Sequence, residues 1–302
     1  PSVLDRLHSR WMSVRSNNTR VLRDVLNRSL YDLDATSEHI LPEVSALRSA
    51  HRHFFVATPS SEIVVVGHLP APLLRHVVRR HLGGLAARAD NARVQLEPKP
   101  LNRVIRVRTA TASADISLHY LQAQDNGADL DAAGLLALRS ALERGLWTRL
   151  RDELGLVYQV SVQLLRRPFA RGGASLVVHT KSSPDAVDQV LTAIDQTVTA
   201  LQTHQVAERE FDTLKSQLVS DYNRRLDSNR GLMYEFALLR EHGFDYADIE
   251  RVIAAIEATD RAGLKRVARR FFDQAGRTAL ILSPPVDEGG RARNVALQPG
   301  SR

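Results

Sequence analysis

Leu150-Arg151-Asp152-Glu153-Leu154-Gly155-Leu156-Val157-Tyr158-Gln159-Val160-Ser161-Val162 reads as the end of a long helix, a glycine turn and the head of a strand. Behind the turn, Tyr158, Val160, Val162 and Leu164 alternate with Gln159, Ser161 and Gln163, the period of two of a half-buried strand. Gly173-Ala174-Ser175-Leu176-Val177-Val178-His179 supplies its expected partner. Ahead of the turn, residues 129–150 predict a helix that follows the turn signal Asp125-Asn126-Gly127.

The same reading extends outward in both directions. Ser183-Pro184 opens a helix whose Val187, Val190, Leu191, Ile194, Val198 and Leu201 form one apolar stripe. Further helices are predicted at 207–226, 229–242, 246–257 and 260–273, and a last strand at 278–283. Upstream lie strands at 103–110 and 114–121, a helix from Pro70 to Gly83-Gly84, a strand at 62–67, a helix after Pro42, and helices at 3–15 and 17–31. Locally paired strands followed by runs of helices indicate an α+β fold, an antiparallel-rich sheet with helices packed on one face.

An internal repeat divides the chain. Glu43 to Phe55 is matched by Asp260 to Phe272 at a constant offset of 217, so that Leu47 aligns with Leu264 and Phe54 with Phe271. Each double Phe is followed by an apolar run, Ile63-Val64-Val65-Val66 and Leu280-Ile281-Leu282. A repeat this long is a duplicated domain rather than a solenoid unit. The expected division is 1–84 as the C-terminal part of a first domain and 85–102 as a linker, then 103–285 as a complete second domain and 286–302 as a disordered tail.

Composition narrows the function classes. At 302 residues with 43% hydrophobic and 25% charged content, the chain is an ordinary globular protein with room for two cores. No apolar run approaches a membrane span, so a soluble chain is expected; composition leaves the compartment open, with the bacterial periplasm or cytoplasm as the expected settings. The absence of cysteine excludes disulfides, thiolate zinc sites and cysteine nucleophiles. The net charge of +7 is carried by arginine, since only Lys99, Lys181, Lys215 and Lys265 are lysines. Those arginines are dispersed, aromatics make up 5%, and no nucleic-acid recognition motif accompanies them, so nucleic-acid binding is disfavoured.

Catalytic patterns are missing as well. The eleven histidines form neither H-x-x-E-H nor H-E-x-x-H, and Glu38-His39 has Ala35 where the first histidine would stand. There is no G-x-S-x-G elbow and no Ser-x-x-Lys pair. What remains is Arg151 and Tyr158, seven residues apart across Gly155. A guanidinium offers a fixed fork of donors, and a phenol can donate to a developing oxyanion, so the two can grip a peptide carbonyl. Their structural reading is a helix C-terminal cation and an inward-facing strand residue.

The stretch from Leu138 to Val162 resembles the helix–turn–strand of the C-terminal, zinc-free domain of the insulinase/pitrilysin-type metallopeptidases, the processing peptidases included. Glu62-Ile63-Val64-Val65-Val66-Gly67-His68-Leu69-Pro70 resembles the segment that closes the first domain type, with His68 where many relatives carry Asp. The likeness covers residues 3 to 285, and the 217-residue offset matches a tandem domain architecture. The resemblance implies a component that closes a peptide chamber and binds no metal itself. Zinc is then expected in a partner half, either a separate chain forming a heterodimer or an upstream segment. It implies that Tyr158 donates to the oxyanion and that Arg151 orients the peptide backbone. A proteolytically silent scaffold or peptide-binding subunit of a larger complex is the alternative it leaves open.

Overall fold

A computed structural model of the chain describes residues 43–54, 64–83, 102–108, 111–122, 132–166, 174–241 and 248–284. The described residues fall into two compact units, one from 102–221 with 250–284, the other from 43–83 with 222–241 and 248–249. The expected contiguous division differs from this one, because the helices between 222 and 249 group with the earlier segment. The helices expected at 3–15 and 17–31, the linker apart from Asn102, and the tail lie outside the described residues.

The smaller unit holds α1 (Val44–Phe54) and α2 (Ala71–Leu82). Pro70 and Pro72 suit the opening of α2, and Arg79 and Arg80 place positive charge at its negative end. No residue of α2 is buried, and Val44 and Leu47 of α1 are exposed. Residues 64–66, expected in a strand, have no strand assignment. A strand is defined by a hydrogen-bonded neighbour, and none pairs with them among the described residues.

The larger unit is built on five strands. They are β1 (Arg103–Arg108), β2 (Ala114–Gln122), β3 (Val157–Arg166), β4 (Ala174–Ser182) and β5 (Ala275–Ser283), with α3 (Ala132–Leu146) between β2 and β3. After β4 come α4 (Val187–Thr203), α5 (Glu208–Leu226), α6 (Asn229–Glu241), α7 (Asp248–Ala258) and α8 (Arg261–Gln274). Of these, α6 belongs to the smaller unit, where Arg225 pairs at 2.7 Å with the buried carboxylate of Glu235.

The strand order is β1-β5-β2-β4-β3. β1 runs parallel to β5, and every other neighbour is antiparallel. The mixed fold therefore has the antiparallel-rich sheet that the sequence indicated. β2 is central and buried on both faces. Its Ala114, Ile116, Leu118 and Tyr120 face a core shared with Leu138, Leu142 and Leu146 of α3, Val190 and Ile194 of α4, and Leu264 and Phe271 of α8. Each large side chain removed from water contributes roughly 1.5–3 kcal/mol, so this layer dominates the stability of the unit. Gly145 lets α3 approach α4, since a Cβ there would lie 3.1 Å from Thr197 Cγ2.

The polar side chains of the sheet are placed rather than merely tolerated. Arg277 of β5 donates a fork, Nε and one terminal nitrogen, to the two carboxylate oxygens of Asp195, each at 2.8 Å, tying the sheet to α4. Burial, helped by the Asp195 charge and opposed by Arg277, holds the Tyr120 phenol above its ordinary range. On the opposite face, Asp115, Ser117 and His119 are buried, with the Ser117 hydroxyl 2.8 Å from His119 Nε2 and Asp115 3.2 Å from Lys181. Facing Ser117 across β4, His179 is held below the usual histidine value by burial, with Asp115 acting against that shift and Lys181 adding to it.

Candidate functional site

The site starts where α3 ceases to be an α-helix. The sequence predicts one helix to residue 150, but from Trp147 to Glu153 the chain winds in π turns. The Leu154 N–H reaches back to the Arg149 carbonyl at 3.2 Å, and the Leu156 N–H to that of Leu150 at 2.8 Å. A side-chain period near 3.6 gives no hint of such a widening, which is common at functional segments. Leu146 and Leu150 are fully buried, so the widened turn stays pinned to the core. Gly155 then turns the chain at φ 60°, a left-handed conformation that a side chain resists even though the space around it is open.

β3 opens with an irregularity. Its register to β4 shifts between Val157 and Val160, both of which are buried. Two residues are thereby expelled from the regular alternation, and Tyr158 stands 84% exposed. The structural reading of Tyr158 as an inward strand residue is thus corrected. A bulge re-aims a side chain that strict alternation would have turned inward.

The rest of the strand is held firmly. Arg139 donates to the Val162 carbonyl at 2.9 Å, and Glu143 accepts from the Val162 N–H at 3.0 Å. These two side chains pair with each other as well, at 2.9 Å, and so occupy the backbone groups that an edge strand would otherwise leave open. β3 is thereby tied to α3 at Val162, four residues beyond Tyr158.

Arg151 and Tyr158 are brought together. The Arg151 guanidinium lies 5.5 Å from the centre of the Tyr158 ring and 4.5 Å from that of Trp147. Its neighbour Arg149 is bound at 2.7 Å to Glu153. Among the described residues, no carboxylate is paired with Arg151, and its side chain is exposed. Trp147 was not singled out from the sequence. Its signal was present, since positions i and i+4 share a helical face, but an indole there reads equally well as core packing.

Nearby, an open hollow of about 720 Å³ is lined by Thr148, Arg149 and Glu153 of the π turns and by Arg209, Glu210 and Thr213 of α5. Neither Arg151 nor Tyr158 lines it. Among the described residues, no three histidine or acidic side chains converge in a way that could hold a metal. Nor is any described helix long and apolar enough to cross a membrane.

Comparison with known proteins gives this geometry a context. No curated protein matches the chain. Among solved structures, the peptidase M16 inactive domain from Pseudomonas fluorescens superposes with a TM-score of 0.78 at 14% identity, over 96% of this chain and 70% of that one. A conserved protein from Enterococcus faecalis gives 0.72 at 16% identity, over 97% and 68%. The periplasmic protease PqqL from Escherichia coli gives 0.60 at 16% identity, over 72% of this chain but only 25% of its own length. These likenesses establish the fold. The sequence profile described as "Peptidase M16 inactive domain" matches residues 43–218, more than half of the chain. The chain therefore belongs to the peptidase M16 inactive-domain family, the zinc-free half of the insulinase-type metallopeptidases.

Proposed function

We propose that this chain closes the peptide chamber of an M16 protease and holds the substrate with Arg151 and Tyr158, in trans to a zinc-bearing half. One observation carries the reading: a bulge, a positive-φ glycine and a π turn combine to put an exposed phenol beside a guanidinium that, among the described residues, has no paired carboxylate. A packing residue has no need of 84% exposure, and a dipole-capping arginine has no need of a tyrosine beside it. The described residues do not fit a metal site. In this reading the zinc and the base that activates water belong to the other half.

The part left to this chain is electrostatic. The Arg151 donors take a backbone carbonyl and fix the peptide's register. The Tyr158 hydroxyl donates where negative charge develops on the scissile carbonyl. Preorganised donors of this kind are worth about a hundred-fold or more in turnover apiece.

The test combines the chain with the H-x-x-E-H-bearing segment or chain encoded beside it and follows cleavage of internally quenched random-sequence peptides. The chain alone is expected to be inactive and the assembly active. Tyr158→Phe should lower kcat of the assembly about a hundred-fold with little change in KM. Full activity with Tyr158→Phe would remove the role assigned to the phenol. An assembly that binds these peptides without ever cleaving them would favour the scaffold reading instead.

A further inference from the structure

We infer that Trp147 is a positioning residue for Arg151, an assignment that rests on the peptide-holding role proposed above. Three observations lead to it. The guanidinium lies over the faces of two aromatic rings, and the indole is the nearer, at 4.5 Å against 5.5 Å for the phenol. The rings differ in how they are anchored: Trp147 is half-buried and packed against the hydrophobic core, whereas Tyr158 is 84% exposed. Of the two rings, the indole is the one that joins the arginine to the core. Finally, Trp147 and Arg151 are the first and fifth residues of the π segment, so the departure from α-helical winding falls where the two side chains meet.

The physical consequence concerns the arginine's alternatives. A free arginine side chain on a turn that contains Asp152 and Glu153 would be drawn to the nearest carboxylate. Glu153 is already engaged by Arg149 at 2.7 Å. The indole face supplies a competing attraction, that of an aromatic ring for a cation, which needs no carboxylate partner. A ring contact of this kind holds the position of the charge without pairing it to a carboxylate, which leaves N–H donors for a peptide carbonyl. An ion pair would fix the position and use the donors up.

Two measurements test the assignment. The first needs only the chain itself. The sequence has two tryptophans, Trp11 and Trp147, so in a Trp11→Phe background the emission comes from Trp147 alone. Arg151→Gln should then shift that emission and raise its quenching by acrylamide; unchanged emission and quenching would overturn the contact. The second uses the assembly with the zinc-bearing half and the same quenched peptides. Trp147→Leu should raise KM about tenfold, equivalent to about 1.4 kcal/mol, with kcat within about twofold, and Trp147→Phe should stay within about threefold of wild type.

A merely structural tryptophan would lower thermal stability and disturb both constants, and phenylalanine would not selectively restore KM. If Arg151→Ala raises KM while Trp147→Leu does not, the positioning role is overturned and the role of Arg151 stands. If neither changes KM, the peptide-holding reading itself falls.

Discussion

Helices α1 and α8 carry one sequence pattern 217 positions apart, and their surroundings differ. In α8, Leu264 is 2% exposed, and Ala268 and Phe271 are buried with it against the sheet and α4. In α1, the equivalent Leu47 is 41% exposed. His51 stands where α8 has Ala268, which is fully buried. Helix starts differ too. Asp260 accepts from the Gly263 N–H and caps α8, while the equivalent residue before α1 is Glu43, whose longer side chain is a poorer cap. The repeat has kept the helical period and the double Phe, and has lost the features that commit a helix to a tightly packed face. Shared periodicity identifies a common ancestor element, not a common environment.

The largest effect that could break this comparison is a core truncation. Leu264→Ala should cost about 2–5 kcal/mol, the range for a buried leucine, whereas Leu47→Ala should cost less than about 0.5 kcal/mol. Urea unfolding of the two variants, followed by circular dichroism, measures both. Similar losses would mean that α1 is as deeply committed to packing as α8, and the contrast drawn above would disappear.

A smaller effect concerns the caps. Asp260→Ala removes one side-chain acceptor at the head of α8 and should cost about 1 kcal/mol. Glu43→Asp gives α1 the cap its counterpart possesses, and should stabilise the smaller unit by at most about 1 kcal/mol. Hydrogen exchange at the first turn of each helix resolves the two locally. A Glu43→Asp chain with no added protection there would show that capping is not what separates the two copies.

How far these features could be read in advance depends on what sets them. The α4 stripe and the β3–β4 pair were legible because one face of each element meets the core and periodicity records that. The antiparallel-rich sheet followed from locally paired strands. The parallel β1–β5 pairing was not legible, since it joins strands separated by most of the larger unit and no local signal marks it. Arg151 and Tyr158 were found by residue type and by their spacing across Gly155. Their approach was not, because it depends on π turns and on a bulge, both departures from the period by which helices and strands are recognised. For the same reason Tyr158 was grouped with Val160 and Val162, although the register shift turns it outward. The polar face of β2 escaped as well: Asp115, Ser117 and His119 alternate like solvent-facing residues and are nevertheless buried.

That buried polar face supports the last and smallest prediction, which sharpens the contrast through pH. The sheet that receives α8 also carries His179, and no such sheet accompanies α1 among the described residues. Burial holds the folded-state value of His179 below its ordinary 6.5, against the pull of Asp115 and with the help of Lys181. The unfolded chain therefore takes up this proton first as pH falls through 6.5, and the folded chain follows only at lower pH. Between those points the unfolded state binds more protons, so stability present above the unfolded value is lost as pH falls. His179→Gln keeps a polar side chain opposite Ser117 while removing the titration, and should flatten this part of the stability profile. Urea midpoints at several pH values from about 7.5 down to about 5 measure the slope, within the range where histidine is the usual titrating group. Equal slopes in wild type and variant would assign the acid sensitivity to another group, and the sheet would then distinguish the two repeat copies by packing alone.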